Sequence, residues 1–273
     1  MTRPPLNKDT TLCISLAARP SNIGTRFHNY LYDRLGIDFI YKAFTTTDIG
    51  AAIGGVRALG IRGCSVSMPF KEDVIALVDH VQDSARAIDS VNTIVNDAGV
   101  LTASNTDYIA IERLIAEHGL RPGQSVLIHG SGGMAKAVGS AFRDNGFHDG
   151  IVVARNESAG PELADKLGYH WRSHLGGAAA AIVVNVTPVG MAGGAEENDS
   201  AFPAELIQAA DTVFDVVALP SETPLITAAR AAGKHVITGA EVIALQAAEQ
   251  FERYTGVRPT AELVAEASAI SRA

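Results

Sequence analysis

Val126-Leu127-Ile128-His129-Gly130-Ser131-Gly132-Gly133-Met134-Ala135 is a short apolar run passing into a glycine-rich turn, in the middle of a chain of 273 residues. The pattern predicts a strand, a tight turn and the start of a helix. Such a unit brings backbone N–H groups and the positive end of a helix dipole to one point, which suits the pyrophosphate of a dinucleotide. The glycine spacing alone is weak evidence, since many glycine turns bind nothing. Its surroundings add weight: a helix is expected from about Met134 to Asn145, then a second apolar strand at Ile151-Val152-Val153-Ala154, the separation that a βαβ nucleotide unit requires. At the tip of that second strand NAD-binding chains usually carry Asp or Glu for the ribose hydroxyls, whereas a 2′-phosphate asks for a cation. Here the tip reads Ala154-Arg155-Asn156, which predicts NADP, with Arg155 clamping the phosphate and Asn156 as a neutral hydrogen-bonding neighbour. Glu157 counts the other way, because a tighter turn would let it reach the ribose.

More than a hundred residues precede the turn, so something other than cofactor binding must occupy the first part of the chain. Apolar residues make up 47% and charged residues 19%, the balance of a globular protein long enough for two cored domains. A net charge of -8 argues against a nucleic-acid partner. After Met1-Thr-Arg-Pro-Pro no apolar run reaches signal-peptide or membrane length, so a cytoplasmic protein without a membrane partner is expected. Cys13 and Cys64 lie in apolar strand-like stretches and are expected to be reduced core residues.

Strands and helices alternate along the chain, which predicts an α/β architecture. The expected elements are a strand at Leu12–Leu16, a helix through Phe27, Tyr30 and Leu31, and a strand at Phe39–Phe44. Thr47-Asp48 reads as the N-cap of a helix carrying Ile49, Ile53, Val56 and Leu59. A strand at Gly63–Met68 is closed by Pro69, and the stripe Val74, Leu77, Val78, Val81 predicts a helix over 71–81. Val91–Asn96 and Val100–Ala103 read as a hairpin around Asp97-Ala98-Gly99. Later strands are expected at Ala181–Asn185 and Thr212–Val217, a mobile loop at Gly193–Asn198, and a helix from Ala240 to Tyr254 that packs back on the first domain. The expected division is therefore a first α/β domain, 1–107 with 240–273 returning to it, and a doubly wound Rossmann-type domain, 108–239.

Lys71, at a strand end, and Asp107, closing Asn105-Thr106-Asp107, stand out in the first part. An alcohol oxidised by hydride transfer must also lose its hydroxyl proton. A lysine ammonium beside a carboxylate in a partly desolvated cleft can hold that proton and stabilise the developing alkoxide. Taken alone, the pair is no better than any lysine and aspartate on loops.

The blocks Ser65-Val-Ser-Met-Pro-Phe-Lys71, Ser90-Val-Asn-Thr-Ile-Val95, Asn105-Thr-Asp107, Gly130-Ser-Gly-Gly-Met-Ala135, Asn185-Val-Thr-Pro-Val-Gly-Met191 and Gln246-Ala-Ala-Glu-Gln-Phe251 resemble, in order, the motifs of the shikimate dehydrogenase family. Six ordered blocks are far more specific than any one of them. The resemblance implies a substrate domain followed by an NADP-binding domain, with Lys71 and Asp107 acting together at the hydroxyl being oxidised. It implies substrate contacts from Asn92 and Gln246 to ring hydroxyls and from Ser67, where the family usually has threonine. The cofactor set is Gly130, Ser131, Gly132, Gly133, Met134, Ala135, Arg155, Asn156, Thr187, Val217 and Gly239, with no metal.

The chain also departs from the family. Two serines that bind the substrate carboxylate are replaced by Asn22 and Gly24, counting back from His28-Asn29. Asn22 still offers a donor, but Gly24 offers only backbone, and losing one donor to a buried carboxylate costs about 1.5–3 kcal/mol. Arg19, Ser21 or Thr25 could compensate, and Arg19 could take a carboxylate bidentately. Ala218 replaces a tyrosine, Val242 a methionine and Ser65 an asparagine. The resemblance is therefore to a shikimate dehydrogenase-like paralogue acting on shikimate or another hydroxylated cyclic carboxylic acid, as a monomer or homodimer. The alternatives are a quinate/shikimate dehydrogenase using NAD and a non-catalytic NADP-binding regulator. A short-chain dehydrogenase is excluded, since none of the six tyrosines begins Tyr-x-x-x-Lys, and the eight histidines and two cysteines show no zinc-ligand spacing. His28 is expected to pack and hydrogen-bond on the first helix, and Trp171 to serve as core or pocket wall.

Overall fold

The computed structural model describes residues 2–272, which divide into two compact units, 2–106 with 244–272, and 107–243. The first carries β1 (Thr11–Ala17), α1 (Ile23–Leu35), β2 (Phe39–Thr45), α2 (Ile49–Ala58), β3 (Gly63–Val66), β4 (His80–Val81), α3 (Asp83–Arg86), β5 (Thr93–Asp97) and β6 (Val100–Ser104). The chain then passes through α4 (Thr106–Glu117), β7 (Val126–His129), α5 (Gly133–Asp144), β8 (Gly150–Val153), α6 (Ala159–Leu167), β9 (His170–Arg172), β10 (Ile182–Asn185), α7 (Ala204–Ala209), β11 (Thr212–Asp215), α8 (Pro224–Ala231) and β12 (His235–Thr238). It ends with α9 (Gly239–Thr255) and α10 (Ala261–Arg272).

The first unit is built on a mixed six-stranded sheet in the order β2-β1-β3-β5-β6-β4, with β5 antiparallel to β3 and β6. Strand alternation sorts its side chains onto two faces. Cys13 pairs with Gly63 and Ile14 with Cys64, so the two cysteines point to opposite faces and stay apart as buried thiols. Ile14, Leu16, Cys64 and Val66 pack on Ile53 and Val56 of α2, with Val74, Ala85 and Val91. On the other face Cys13 and Tyr41 meet Phe27, Leu31 and Tyr32 of α1, Phe251 and Tyr254 of α9, and Ala267 of α10. The C-terminal helices thus complete the first core, and each fully buried Phe or Leu contributes about 1.5–3 kcal/mol of apolar transfer.

The second unit is a six-stranded parallel sheet in the order β12-β11-β10-β7-β8-β9, the doubly wound arrangement in which the chain reverses direction between β7 and β10. Its strands read as near-continuous apolar runs because helices cover both faces. On one face Leu127, Val153, Val183 and Val213 pack on Phe202, Leu206, Ile207 and Leu225.

Local chemistry sets several boundaries. The Asp48 side chain accepts from Ala51 N at 2.9 Å and caps α2. Ala98 and Gly99 both have positive φ, 51° and 93°, the turn that suits a two-residue hairpin between β5 and β6. The predicted helix over 71–81 does not form. Asp73–Leu77 is a short 3-10 turn, Val78 is extended, and His80–Val81 pairs with β6 as β4. Asp79 drives the change, accepting Leu101 N through its carboxylate at 2.7 Å and donating its own N–H to Leu101 O at 3.0 Å. Val74, Leu77, Val78 and Val81 do face one core, so the apolar stripe marked burial and not helical period. The segment Gly193–Asn198 is a run of turns, with Gly190 N donating to Glu196 O and Gly193 N to the Glu197 carboxylate.

His28 is fully buried and stacks on Tyr41 with ring centroids 4.3 Å apart. Neither ring nitrogen has a hydrogen-bond partner, contrary to the hydrogen-bonding role expected from sequence, because its neighbours on this face are the aromatic rings of Phe27, Tyr32, Phe251 and Tyr254. Burial lowers its pKa to about 3, with only a weaker opposing pull from Gln250, which lies outside hydrogen-bond geometry. A histidine whose folded pKa is depressed binds its proton in the unfolded chain first, so stability is complete above about pH 6.5 and falls as pH drops toward 3. In urea denaturation, His28→Phe should gain about 2 kcal/mol on wild type between pH 7 and pH 5, at about 1.4 kcal/mol per pH unit below 6.5. An equal pH dependence in both proteins would show that His28 does not stay neutral when folded.

Candidate active site

In the second unit the site begins where β7 ends. Gly130 N donates to Val153 O at 2.8 Å, and Val186 N donates to His129 O at 3.0 Å, which pins the turn between its two neighbours in the sheet. Gly130 has φ 127°, and a Cβ there would lie 2.8 Å from Val186 Cγ2 and 3.3 Å from Thr187 Cγ2. Only glycine satisfies both demands. At Gly132 and Gly133 a Cβ would meet nothing within 4 Å, and Gly132 caps α5 without a side chain. The first-turn N–H groups of α5, which have no acceptor inside the helix, therefore border open space at the positive end of its dipole. These features fit a dinucleotide pyrophosphate. Ser131 and Met134 are part-exposed, whereas Ala135 is fully buried and can offer only main chain.

Arg155, Asn156 and Glu157 are exposed just past β8, which pairs with β7 in the register His129 to Val153. Asn156 Oδ1 accepts Ser158 N at 3.0 Å and Ala159 N at 2.9 Å, so it starts α6 and keeps only its amide N–H groups for a ligand. Trp171 lies on β9 and donates Nε1 to Ala154 O at 3.2 Å, a wall behind the same strand tip.

At the ends of β10 and β11 lies a polar network that sequence reasoning left unassigned. Asn185 and Asp215 are register partners and both are fully buried. Asp215 accepts from Asn185 Nδ2 at 3.0 Å, Val217 N at 3.0 Å and Thr223 Oγ1 at 2.7 Å. Asn185 Oδ1 accepts Thr187 N at 3.0 Å and Thr187 Oγ1 at 2.6 Å. Burial pushes the Asp215 carboxyl above its ordinary range, against the three donors that favour its charge. Val217 is buried and can offer only main chain, and a Cβ on Gly239 would lie 2.4 Å from Val216 O and from Val217 C and O. Its sequence signal was a polar residue ending each of two apolar runs, Ile182-Val-Val-Asn185 and Val213-Phe-Asp215.

In the first unit the candidate substrate residues gather around Asn92. Lys71 O accepts Val91 N at 2.8 Å, and Val66 N donates to Asn92 O at 2.8 Å. The Asn92 side-chain oxygen accepts Thr106 N at 2.8 Å, Thr106 Oγ1 at 3.1 Å and Thr93 Oγ1 at 2.8 Å. Thr106 Oγ1 also lies 3.4 Å from Gln246 Oε1. Lys71, Asn92, Gln246 and the residue before Asp107 are thus drawn together, and Asp107 itself is buried at 8% exposure. Ser67 is exposed, one residue beyond Val66. Asn22 is the exposed N-cap of α1, and its side chain makes no capping bond. Among the described residues no group of three His, Cys, Asp or Glu is placed to hold a metal ion, and no helix is long and apolar enough to cross a membrane.

Residues 22–94 match the model of the shikimate dehydrogenase substrate binding domain. A shikimate dehydrogenase-like protein of Haemophilus influenzae is 59% identical over 267 residues, covering 98% of each chain. A shikimate dehydrogenase (NADP(+)) of Pyrococcus abyssi is 36% identical over 243 residues, 87% of this chain and 89% of that one. The shikimate 5-dehydrogenase of Thermus thermophilus, solved in complex with NADP(H) and shikimate, superposes with a TM-score of 0.86 at 28% identity, over 96% of this chain and 99% of that chain. Both sheets thus find their counterparts in one group of α/β proteins. The chain belongs to the shikimate dehydrogenase family.

The glycine turn makes a direct stability claim. Gly130→Ala should cost about 1–3 kcal/mol through strain at positive φ and contact with Val186, read as a lowered Tm. Gly132→Ala, in open space, should leave Tm nearly unchanged. Equal losses from the two would contradict the geometry of the turn.

Proposed function

We propose that the chain is an NADP-dependent dehydrogenase that interconverts shikimate and 3-dehydroshikimate, or a related hydroxylated cyclic carboxylic acid. A substrate domain of 1–107 with 240–273 would bind the acid, and a domain of 108–239 the cofactor. The observation that carries the reading is the convergence on Asn92, which ties the Lys71 segment to the residue preceding Asp107.

Bound NADP+ would supply the hydride acceptor. Lys71 and Asp107 handle the proton of the reacting hydroxyl: the ammonium orients the oxygen and stabilises its developing charge, and the carboxylate holds the ammonium in place. Asn92, Gln246 and Ser67 orient the ring hydroxyls, and Asn22 donates to the acidic group. Gly130 to Ala135 hold the pyrophosphate with main-chain N–H groups, Arg155 takes the 2′-phosphate with Asn156 beside it, and Thr187, Val217 and Gly239 border the nicotinamide end. A second reading, NAD with quinate or shikimate, is favoured by exposed Glu157, whose carboxylate suits ribose hydroxyls.

Steady-state assays with shikimate and with quinate, each with NADP+ and NAD+, test the reading. Turnover of shikimate with NADP+ supports it, and tight NADP+ binding without turnover of either acid would point to a regulator. Lys71→Ala should lower kcat about 100-fold or more with little change in KM, since the proton matters most in the transition state. Arg155→Ala should raise KM for NADP+ about 10-fold to 100-fold, the loss of a charge-assisted pair worth about 1.5–3 kcal/mol, and leave KM for NAD+ unchanged. A variant that weakens both coenzymes alike would remove Arg155 from phosphate recognition.

A further inference from the structure

His118, directly after α4, meets the first residue of β12 and the first turn of α9, all inside the second unit. Its Nε2 lies 2.9 Å from Glu241 Oε1 and its Nδ1 3.0 Å from His235 Nε2, while His235 Nδ1 lies 3.4 Å from Thr212 Oγ1. The other Glu241 oxygen accepts Thr238 N at 2.8 Å and Thr238 Oγ1 at 2.7 Å, which closes the cap of α9.

Counting hydrogens along this chain of groups fixes its states. The carboxylate only accepts, so His118 Nε2 carries a hydrogen. With both rings neutral that is the only hydrogen His118 has, so the one between the rings belongs to His235 Nε2, and the bare His235 Nδ1 accepts the Thr212 hydroxyl. One added proton goes to His235 Nδ1, which turns from acceptor to donor toward Thr212, and the hydrogen between the rings can then sit on either imidazole. Every bond survives. A second proton sets N–H against N–H and two like charges side by side, so the bond between the rings is lost. The surroundings favour the first proton, since a cation suits the negative end of α4 and the Glu241 carboxylate suits the positive end of α9. They oppose the second. Burial first, and the neighbouring His118 next, pull the His235 pKa below its ordinary value, against a smaller upward pull from Glu241. Lys234, beside His235 in the chain, directs its ammonium to Gln208 O at 2.6 Å.

We propose that His118 and His235 form a proton-counting clasp, closed with no proton or one and open with two, that ties the end of α4 to the edge strand β12 through the neutral range and releases it in acid. The chain passes from the first unit to the second within α4, at 106–107, and back within α9, at 243–244. His118 holds Glu241 of α9 on one side and His235 on the other, so the clasp gathers the second-unit ends of both crossing helices at one sheet edge. It holds whichever coenzyme the protein takes.

A double-mutant cycle of His118→Ala and His235→Ala in the full chain, read by urea denaturation at about pH 7.5 and about pH 5, tests the clasp. Comparing the four proteins at each pH cancels the acid sensitivity of His28, which all of them share. At the higher pH the two rings should be coupled in favour of the folded state by about 2-fold to 10-fold in the unfolding constant, the worth of one hydrogen bond. At the lower pH that coupling should shrink or change sign. No coupling at the higher pH, or coupling no smaller at the lower one, overturns the proposal. The tautomers give a second reading on the wild type: at about pH 9, imidazole 15N shifts should show both rings carrying hydrogen at Nε2 alone. A His118 ring with its hydrogen on Nδ1 would overturn the clasp as well.

Discussion

A parallel sheet presents every strand's carboxyl end on one edge, and the second unit depends on how that edge is finished. β7 lies between β8 and β10, so its last carbonyl and the following N–H are both taken by those neighbours, through Val186 N and Val153 O. The chain can leave β7 only by a turn that clears β10, and Gly130 with φ 127° supplies it. From that one constraint follow the start of α5 beside open space, the placement of Arg155 just past the adjacent strand, and the proximity of Thr187 to the turn. The apolar strands below would pack equally well around many turns. It is the crowding at the edge that admits so few.

The two units handle buried polar groups in different ways. In the second, Asn185, Asp215, Thr187 and Thr223 satisfy one another, so a carboxylate with no exposure is held by three donors and charge burial is offset by hydrogen bonds. In the first, His28, Tyr32 and Tyr254 carry buried polar atoms with no partner, among stacked rings. That aromatic face is therefore stabilised by apolar area and ring contacts and taxed by desolvation, which makes it sensitive to acid where the satisfied network is sensitive to the loss of a single donor.

Elements with one dominant local signal were legible in the sequence. The glycine turn, the Asp48 cap and the Ala98-Gly99 hairpin each follow from residues whose backbone preferences admit few alternatives. The helix expected over 71–81 failed because β-branched residues with core-facing spacing serve a short turn plus an edge strand as well as a helix, and Asp79's two bonds to Leu101 are invisible without the partner strand. β9, β12 and α10 passed unnamed for a similar reason: short or polar-edged segments such as His170-Trp171-Arg172 take their form from a neighbour. At the site, Asn92 was legible as a residue type in a motif, but its bond to Thr106 was not. Asn185 and Asp215 escaped because their role arises from being opposite each other in register, which no single segment encodes.

Position 24 shows what a departure from the family's motif can mean physically. The Tyr41 hydroxyl lies 2.6 Å from Ser65 Oγ, and burial pushes the phenol's pKa up against the hydrogen bonds of Ser65 and Ser15, so it stays protonated. A Cβ on Gly24 would lie 3.5 Å from the Tyr41 ring edge and hydroxyl, ordinary contact, and its φ is not positive. Neither packing nor backbone therefore requires glycine in the first turn of α1, where it costs about 0.5–1 kcal/mol against alanine. What the missing side chain changes is the neighbourhood of the Tyr41 and Ser65 hydroxyls. A ligand group reaching position 24 meets that phenol–serine pair and the backbone of α1 in place of a serine hydroxyl, and a pair already bonded to itself has one proton left to donate. Recognition of an acid there would rest on fewer donors than two serines provide.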